Sequence, residues 1–509
     1  MHLSRLGAFS RKEITGFIRL NAPNRLNCTG AAGGTGSAFG VRFCASQLII
    51  LNYDSASLLR SSVIFRLMLG PAPGARIASK GSTGRDRAFL RRVPILEFSP
   101  KEVMPTQSST LPTATILGYP RLGRRRELKR AIESFWKGAI DEAELQRIAR
   151  ELRAATRARL VELGLPAAGG AVPESFSFYD QVLDATLAVG AIPGRFADVA
   201  DREGASELDL YFALARGDEA HQPLEMTKWF DTNYHYSVPE IDERTPFAAN
   251  PAALLAQIGE AADQGVESRP VIVGPVTYLL LAKAAGGAGD GFRPIDRLDE
   301  LVAVYAELLG AFAEAGAGWV QLDEPALVSD SLAVPREEIV ALVERAYAAL
   351  GGAGNRPAIL LTAPYGDSSQ ALARLGALPV EAVQADLVRG SLPEAELAAG
   401  TLAQAFAGTR LVAGLVDGRN IWRTDLRAAL AAVERLRDAG LDVSIGTSNS
   451  LQHVPHDVRD ESKLDERLKS WLAFADQKVE QAVALALGLD GGAAAIEAEL
   501  ADAERALAD

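Results

Sequence analysis

From residue 114 onward, short apolar segments alternate with longer amphipathic ones, and this alternation constrains the fold more than any other feature of the chain. The eight segments predicted as strands are Ile116–Tyr119, Phe176–Tyr179, Pro270–Thr277, Trp319–Asp323, Ala358–Thr362, Ala382–Leu387, Arg410–Val416 and Val443–Thr447. Most are nearly continuous runs of Val, Ile and Leu, as is typical of strands covered on both faces. The segments between them, such as 298–315 and 425–439, have the apolar spacing of helices. Eight such units favour a single α/β domain of the (β/α)8 TIM-barrel type, with a doubly wound open sheet as the alternative.

Polar and glycine-bearing motifs follow most of the predicted strands. They are Tyr179-Asp180, Gly274-Pro275-Val276-Thr277, Asp323-Glu324-Pro325, Asp386, Asp417-Gly418-Arg419-Asn420 and Ser448-Asn449-Ser450. Each alone has a plainer explanation, because Gly-Pro and Asp-Gly make turns and an acid after a strand often caps a helix. The carboxyl ends of barrel strands form the active-site face, so the motifs together predict a site there.

One long segment interrupts the alternation between the second and third predicted strands. It contains the string EMTKWFDTNYHY, residues 225–236, in which Lys228 is flanked by Met226 and Trp229. We interpret His235, between two tyrosines, as a packing residue, with a ligand role as the alternative. A large insertion over a barrel mouth is often functional, so this segment is a second candidate for the site.

The segment 121–130 is strongly basic within an acidic protein. It carries six Lys or Arg residues and one acid, whereas the whole chain has a formal net charge of −12. It leads from the first predicted strand through a Pro-Arg-Leu-Gly turn into an amphipathic helix, on which Arg126, Lys129 and Arg130 are expected to point outward. A helix N-terminus bearing Arg and Lys predicts an anion site, with a solvated basic face as the alternative.

Charge also divides the chain near residue 104. Residues 1–103 hold fifteen of the 53 basic and five of the 65 acidic residues, which leaves 38 basic and 60 acidic residues in the rest. We interpret 1–103 as upstream sequence read as protein, or as a disordered extension, with Met104 as the true start and 104–113 as a short lead-in. A targeting segment is the alternative, because the region is rich in Arg and poor in acids.

The composition also excludes several classes of function. Both cysteines, Cys28 and Cys44, precede Met104, so the body can hold neither a disulfide framework nor a Cys-based zinc site, which suits a reducing compartment. Its acidity argues against general nucleic-acid binding. The apolar patch 48–70 is interrupted by charges and is not a membrane span. We therefore expect a cytoplasmic protein that binds neither nucleic acid nor membrane.

A set of strings, in their order along the chain, resembles one family. They are GYPRLGRRRELK, FSFYDQVLD, EMTKWFDTNYHY, GPVTYLLLAK, WVQLDEPAL, ADLVRG, LVDGRNIWRTDL, SLQHVPHD and LKSWLAFADQK, within residues 114–487. The set is similar to the N-terminal half of cobalamin-independent methionine synthase, which transfers a methyl group from 5-methyltetrahydropteroyltri-L-glutamate to L-homocysteine. The resemblance implies two barrels, face to face, that share one active site. Residues 114–487 would form the N-terminal barrel, and 488–509 a remnant of the helical linker between barrels.

The resemblance also implies roles for particular residues. The string RELK matches the family's element for the folate tail, so Arg126, Glu127, Leu128 and Lys129 would line the triglutamate site. Lys228 matches a further contact to the same substrate. The chemistry agrees, because a glutamate tail carries several carboxylates and each charge-assisted hydrogen bond contributes roughly 1.5–3 kcal/mol.

Departures from the family pattern limit what the resemblance implies. The family's zinc, held by His, Cys, Glu and Cys in the C-terminal barrel, activates the homocysteine thiol, and this chain has no such ligands. Gln384 and Asn449 stand where the family often has His and Cys. We therefore expect no catalytic residue, metal or cofactor here, and a chain that ends before the zinc barrel and is inactive alone. One alternative is a non-catalytic folate-binding or scaffold module that pairs with a separately encoded zinc barrel. Another is a different decarboxylase or methyltransferase acting on an anionic substrate.

Overall fold

The computed structural model describes residues 110–509, so the expectations for residues 1–103 and for most of the lead-in 104–113 lie outside the described part. The strands are β1 (Val172–Glu174), β2 (Met226–Lys228), β3 (His235–Ser237), β4 (Glu240–Ile241), β5 (Ser268–Val273), β6 (Lys283–Ala284), β7 (Trp319–Asp323), β8 (Ala358–Ala363), β9 (Ala382–Asp386), β10 (Arg410–Val416) and β11 (Val443–Thr447).

The helices outnumber the strands. They are α1 (Glu127–Trp136), α2 (Glu142–Glu162), α3 (Gln181–Ala188), α4 (Ala197–Ala200), α5 (Glu207–Arg216), α6 (Ala252–Asp263), α7 (Pro275–Leu281), α8 (Leu298–Glu314), α9 (Arg336–Gly351), α10 (Ser369–Gly376), α11 (Glu394–Ala398), α12 (Thr401–Ala405), α13 (Leu426–Asp438), α14 (Glu466–Trp471), α15 (Ala475–Gly491) and α16 (Glu497–Ala508). Short 3-10 turns occupy Gly194–Phe196, Pro294–Arg297, Pro325–Val328, Leu451–His453, Val458–Asp460 and Ala493–Ile496.

Seven strands form one parallel sheet in the order β1-β5-β7-β8-β9-β10-β11. The register pairs Val271 with Gln321, and Asp323 with Thr362 across the next interface. Helices connect consecutive strands, and β8 and β9 are buried along their whole length. This is an α/β fold with a parallel sheet covered on both faces, as the nearly continuous apolar runs predict.

Residues 113–117 lie beside both edges of this sheet. Ala114 forms a parallel bridge with Ile445 of β11, where the amide of Thr115 donates to the carbonyl of Ile445 at 2.9 Å. On the other side, the Thr115 hydroxyl donates to the carbonyl of Ala171, next to β1, at 2.8 Å. The segment therefore contacts the neighbourhood of the first and the last strand of the sheet.

Three of the eight strand predictions are wrong in part or in full. Residues 116–119 form no regular strand, because the Leu117 amide bonds to the Thr447 hydroxyl (3.1 Å) rather than to a backbone ladder. The second prediction missed β1, since its aromatic run 176–179 follows the strand end. The third prediction runs too far, because Pro275 begins α7 at a position where the fixed φ of proline favours helix. The other five agree with the structure to within one residue at either end.

The predicted insertion between β1 and β5 is present but is more regular than expected. It contains four helices, α3 to α6, and an antiparallel hairpin in which Lys228 of β2 pairs with His235 of β3. Helices α1, α2, α3 and α5 bury a second apolar cluster beside the main core, and this cluster includes Leu128 and Ile132. Helix α1 is thus fixed by its apolar face, which leaves its basic residues at the surface.

Candidate functional site

The polar motifs predicted to meet at one edge of the sheet do so. Each follows the carboxyl end of one of six parallel strands: β1, β5, β7, β9, β10 and β11. Two of their acids maintain the fold. Asp180 caps α3 through the amides of Val182 and Leu183, at 3.0 and 2.8 Å. Glu324 accepts from the amide of Thr277 at 2.7 Å and so fixes the start of α7. Here the plainer reading of an acid as a helix cap is confirmed.

A cavity of about 280 Å³ opens among these strand ends and extends toward α2, α3, α5 and α6. We call it the strand-end cavity. Its aromatic lining residues are Phe176, Phe178, Tyr211, Trp229 and Tyr365, and its acidic lining residues are Glu142, Asp184, Glu207 and Asp323. Among residues 110–509, no Lys, Arg or His side chain lines it. The interior of the site is thus aromatic and acidic, which the resemblance does not predict.

Two of the acids in the cavity, Asp184 and Asp323, are partly withdrawn from water, whereas Glu207 is exposed. Burial raises the pKa of Asp184 to about 7, although hydrogen bonds from Ser177 and Tyr211 oppose the shift. Burial likewise raises the pKa of Asp323 to about 6, against hydrogen bonds from Thr362 and Gln321. Both carboxyls therefore titrate close to neutral pH.

The basic segment, residues 121–130, divides into arginines that hold the fold and cations that remain at the surface. The Arg121 guanidinium donates to the carbonyls of Ser177 and Phe178, at 2.9 and 3.2 Å, in the wall of the strand-end cavity. Arg124 pairs with Asp457 at 2.6 Å and with Asp476 at 3.2 Å. These two arginines join the turn before α1 to the segment that follows β1, to the start of the 3-10 turn at Val458 and to α15.

Asp476 is the centre of this arrangement. Its side chain is fully buried and accepts from Arg124, from Arg159 at 2.8 Å, and from the hydroxyl of Tyr119. Burial and the charge of Asp476 raise the pKa of Tyr119, so the phenol stays protonated and donates. The strings GYPRLGRRRELK and LKSWLAFADQK are therefore joined in space by one carboxylate.

The structure positions the RELK residues in three different ways. Arg126 stands before α1 in the left-handed region, with φ 62°, and is exposed. The Glu127 carboxylate accepts the amide of Arg125 at 2.9 Å. Leu128 is fully buried, so its side chain packs in the core and offers a ligand no surface. Lys129 lies 3.7 Å from Glu133 and is partly exposed. Of the four, Arg126 and Lys129 present charge to solvent.

Two further cations of the basic segment have no acidic partner in the described part of the chain. Arg125 and Arg130 are both exposed, and no ion pair with an acid in residues 110–509 involves them or Arg126. Together with Lys129, they make the start of α1 a positively charged surface. A helix N-terminus adds its own partial positive charge to such a surface.

Lys228 lies on the exposed edge of the β2–β3 hairpin, and no ion pair within residues 110–509 holds its ammonium group. No hydrogen bond in that range joins it to the basic segment. The two elements do approach each other elsewhere, because the Arg121 guanidinium lies 6.0 Å from the ring centre of Tyr234 in the hairpin. The resemblance assigned the basic segment and Lys228 to one site. The structure brings the two elements close together, but no hydrogen bond within residues 110–509 joins Lys228 to the basic segment.

The hairpin is tied to the strand ends by contacts that sequence reasoning missed. The indole of Trp229 donates to the Tyr365 hydroxyl at 3.2 Å, and that hydroxyl lies 3.0 Å from Nε2 of His453. Burial lowers the pKa of His453 to about 3, so this imidazole is neutral. At the tip, Asp231 pairs with Arg389 and Arg419 at 3.3 and 3.4 Å. In the sequence, the only signal for these contacts is that the residues follow the ends of strands.

The described residues do not fit a zinc site. No group of three or more His, Cys, Asp or Glu in residues 110–509 is arranged to hold a metal ion. Gln384 accepts from the amide of Ala363 at 3.2 Å and donates to the carbonyl of Ser448 at 3.1 Å, so its amide connects β9 to β8 and to the residue after β11. Asn449 is buried and its amide donates to the Ser448 hydroxyl. Its Oδ1 is buried without a hydrogen-bond partner among the described residues, so only the Gln384 amide is bonded on both sides.

Comparison with known proteins agrees with this arrangement. The family model described as the N-terminal domain of cobalamin-independent synthase matches residues 113–440. The chain belongs to this family. A 5-methyltetrahydropteroyltriglutamate–homocysteine methyltransferase of Mycolicibacterium paratuberculosis is 48% identical over 397 residues, which are 78% of this chain and 50% of the relative. Its counterpart in Mycobacterium leprae is 46% identical over 408 residues, 80% of this chain and 50% of the relative.

The chain spans about half the length of the curated relatives it matches. A putative vitamin-B12-independent methionine synthase from Listeria monocytogenes is a structural neighbour, with a TM-score of 0.47 and 15% identity over 74% of this chain and 98% of that one. Within residues 110–509, no helix has the length and apolarity needed to cross a membrane.

Proposed function

We propose that residues 110–509 bind the methyl donor of a cobalamin-independent methionine synthase, 5-methyltetrahydropteroyltri-L-glutamate, through its anionic tail. The observation that carries this proposal is the positively charged surface at the start of α1, formed by Arg125, Arg126 and Arg130, which have no ion pair within residues 110–509, and by Lys129, which lies 3.7 Å from Glu133. Lys228 on the hairpin is a further cation without an ion pair in that range. Carboxylates of a triglutamate are matched by such groups, because each charge-assisted hydrogen bond contributes about 1.5–3 kcal/mol.

The test compares the triglutamate and monoglutamate forms of the donor by isothermal titration calorimetry on the full chain. The triglutamate form should bind at least about tenfold more tightly at low salt, and Arg126→Ala with Lys129→Ala should remove that preference. Arg150→Ala, an exposed arginine on α2, is the matched control and should leave it intact. Equal affinities for the two forms in the unmodified chain would overturn the tail-binding role.

We also propose that the sheet closes into a (β/α)8 barrel, with residues 113–117 as the missing strand between β11 and β1. The bridge of Ala114 to Ile445 and the bond from Thr115 to Ala171 support closure from both sides. In that case 114–487 is the barrel and 488–509 a helical appendix. Hydrogen exchange tests this, because the Thr115 and Ile445 amides of a closed barrel should exchange as slowly as the central strand β8. Fast exchange at Thr115 would indicate an open sheet.

The complete reaction, methyl transfer to L-homocysteine in the cytoplasm, is proposed for an assembly in which a second, zinc-bearing barrel faces this one. This proposal is supported by the relatives named for this reaction, of whose length the chain covers about half. The chain alone should bind the donor and form no methionine. Turnover by the purified chain would show that thiol activation does not need a second barrel. Co-purification of a zinc protein that restores turnover would instead favour the paired-module alternative.

A further inference from the structure

The strand-end cavity has a chemistry opposite to that of the basic segment. Aromatic rings line it, and its titratable lining groups within residues 110–509 are four acids and two tyrosines. A polyglutamate tail would meet acids among the lining residues and no lining cation, since Arg121 and Arg269, whose charges act on Asp184 and Asp323, are not part of the lining. The proposed substrate tail therefore does not match this cavity, and a ligand of the cavity would have a different chemistry.

Asp323 and Asp184 are the two acids placed to hold that occupant. Oδ1 of Asp323 is engaged by Thr362 at 2.6 Å and by Gln321 at 2.7 Å, whereas no hydrogen bond from residues 110–509 reaches its Oδ2. Asp184 accepts from the Tyr211 hydroxyl at 2.7 Å. Both carboxyls line the cavity, so a ligand that donates hydrogen bonds would find a fixed acceptor at each.

The aromatic lining adds a second requirement. Trp229 and Tyr365 are held by the bond between the indole and the hydroxyl, and their rings lie edge to face with centres 6.4 Å apart. Phe176 and Phe178 also line the cavity, with ring centres 5.2 Å apart. Aromatic walls favour a flat apolar body, and ring faces attract positive charge.

We propose that the strand-end cavity is a binding site for a small, flat organic cation whose N–H groups donate to Asp323 and Asp184. The site is distinct from the cationic surface at α1 and does not rest on its proposed function. The cavity volume of about 280 Å³ is near the lower end of small-molecule sites, so the ligand has the size of a single substituted ring or a fused pair.

A matched set of probes tests the charge requirement on the full chain. Benzamidine, benzamide and benzoate have nearly the same shape but are cationic, neutral and anionic, respectively. At pH 8, ligand-observed NMR should detect benzamidine binding in the millimolar range or tighter, benzamide at least about tenfold weaker, and benzoate not at all. Binding of benzoate as strong as that of benzamidine, or no benzamidine binding at 10 mM (about −2.7 kcal/mol at that Kd), would overturn the proposal.

Variants locate the binding within the molecule. Asp323→Asn and Asp184→Asn keep an oxygen for the donors that hold them but remove the charge, so each should weaken benzamidine about tenfold or more. Ala253→Trp places a large ring at the α6 wall from an exposed helical position, and should block the cavity even if the buried variants unfold. Asp299→Asn, an exposed acid far from the lining set, is the control. Unchanged benzamidine affinity in Ala253→Trp would show that the probe binds elsewhere. Failure of the triglutamate preference would leave these results unaffected.

Discussion

The basic segment and the strand-end cavity both concentrate ionisable side chains, but the structure treats their charges in opposite ways. In the basic segment, Arg121 and Arg124 bond to carbonyl and carboxylate groups of the fold, and the remaining cations are exposed or partly exposed. In the cavity, the carboxyls of Asp184 and Asp323 are partly withdrawn from water, and no cation within residues 110–509 lines the cavity beside them. In the basic segment, little free energy is lost by removing charges from water. In the cavity, burial disfavours the charged form of the acids.

The difference teaches that a run of like charges is not one functional unit. The neighbouring residues Arg124 and Arg125 have the same side chain but different roles, because the Arg124 guanidinium pairs with Asp457 and Asp476, whereas the Arg125 guanidinium pairs with no acid in the described part of the chain. The partners come from residues more than 300 positions away. Three perturbations probe the comparison, from the largest expected effect to the smallest.

Removing the shared carboxylate of Asp476 should have the largest effect. Asp476→Ala leaves Arg124 and Arg159 without their buried partner and Tyr119 without an acceptor. Breaking a buried ion pair from one side costs about 3–5 kcal/mol, so the urea midpoint should fall strongly. Arg125→Ala, at an exposed position in the same segment, should change stability by no more than about 0.5 kcal/mol. Equal effects of the two substitutions would contradict the division of the basic segment into structural and surface cations.

Much of the fold was predictable because a strand that is covered on both faces has a nearly continuous apolar sequence. Five of eight strands, including β10 and β11, agree with their predictions almost to the residue. The errors at 116–119 and 176–179 share a cause. An apolar or aromatic run indicates burial, and 116–119 is buried and 176–179 partly buried, but both form hydrogen bonds with side chains such as Thr447 and Arg121.

The candidate site was less predictable than the fold. The motifs predicted the correct edge of the sheet, yet nothing local to Asp184 distinguishes it from a solvent-facing helix residue. Its character comes from Tyr211, Ser177 and the cavity around it. Similarly, the resemblance singled out Leu128 with its neighbours, although its side chain lies in the core. A motif identifies a segment, whereas the fold decides which of its side chains a ligand can reach.

The free energy of unfolding should depend on pH through Asp184 in the cavity, and this distinguishes the cavity from the basic segment. Because the pKa of Asp184 is raised to about 7 from 3.8, its neutral form stabilises the fold below about pH 4, and this contribution is lost as pH rises to about 7. Asp184→Asn should therefore gain about 1–3 kcal/mol relative to the unmodified chain between pH 4 and pH 8. Chemical denaturation at several pH values measures this. Asp438→Asn, at an exposed position of α13, is the control, and parallel curves for the two variants would refute a strained acid at 184.

The smallest expected effect belongs to the hairpin, which touches both regions through Trp229 and Tyr234. Asp231→Ala removes the pairs with Arg389 and Arg419, but the Asp231 side chain is 85% exposed, so global stability should fall by less than about 1 kcal/mol. Locally, the Trp229 amide, which donates to the Tyr234 carbonyl at 2.8 Å, should exchange its hydrogen faster. Asp330→Ala, another exposed and paired aspartate, should leave this exchange unchanged. If exchange at Trp229 does not change in Asp231→Ala, the hydrogen bond between Trp229 and Tyr365 is sufficient to hold the hairpin. The ion pairs of Asp231 would then have no part in positioning Lys228.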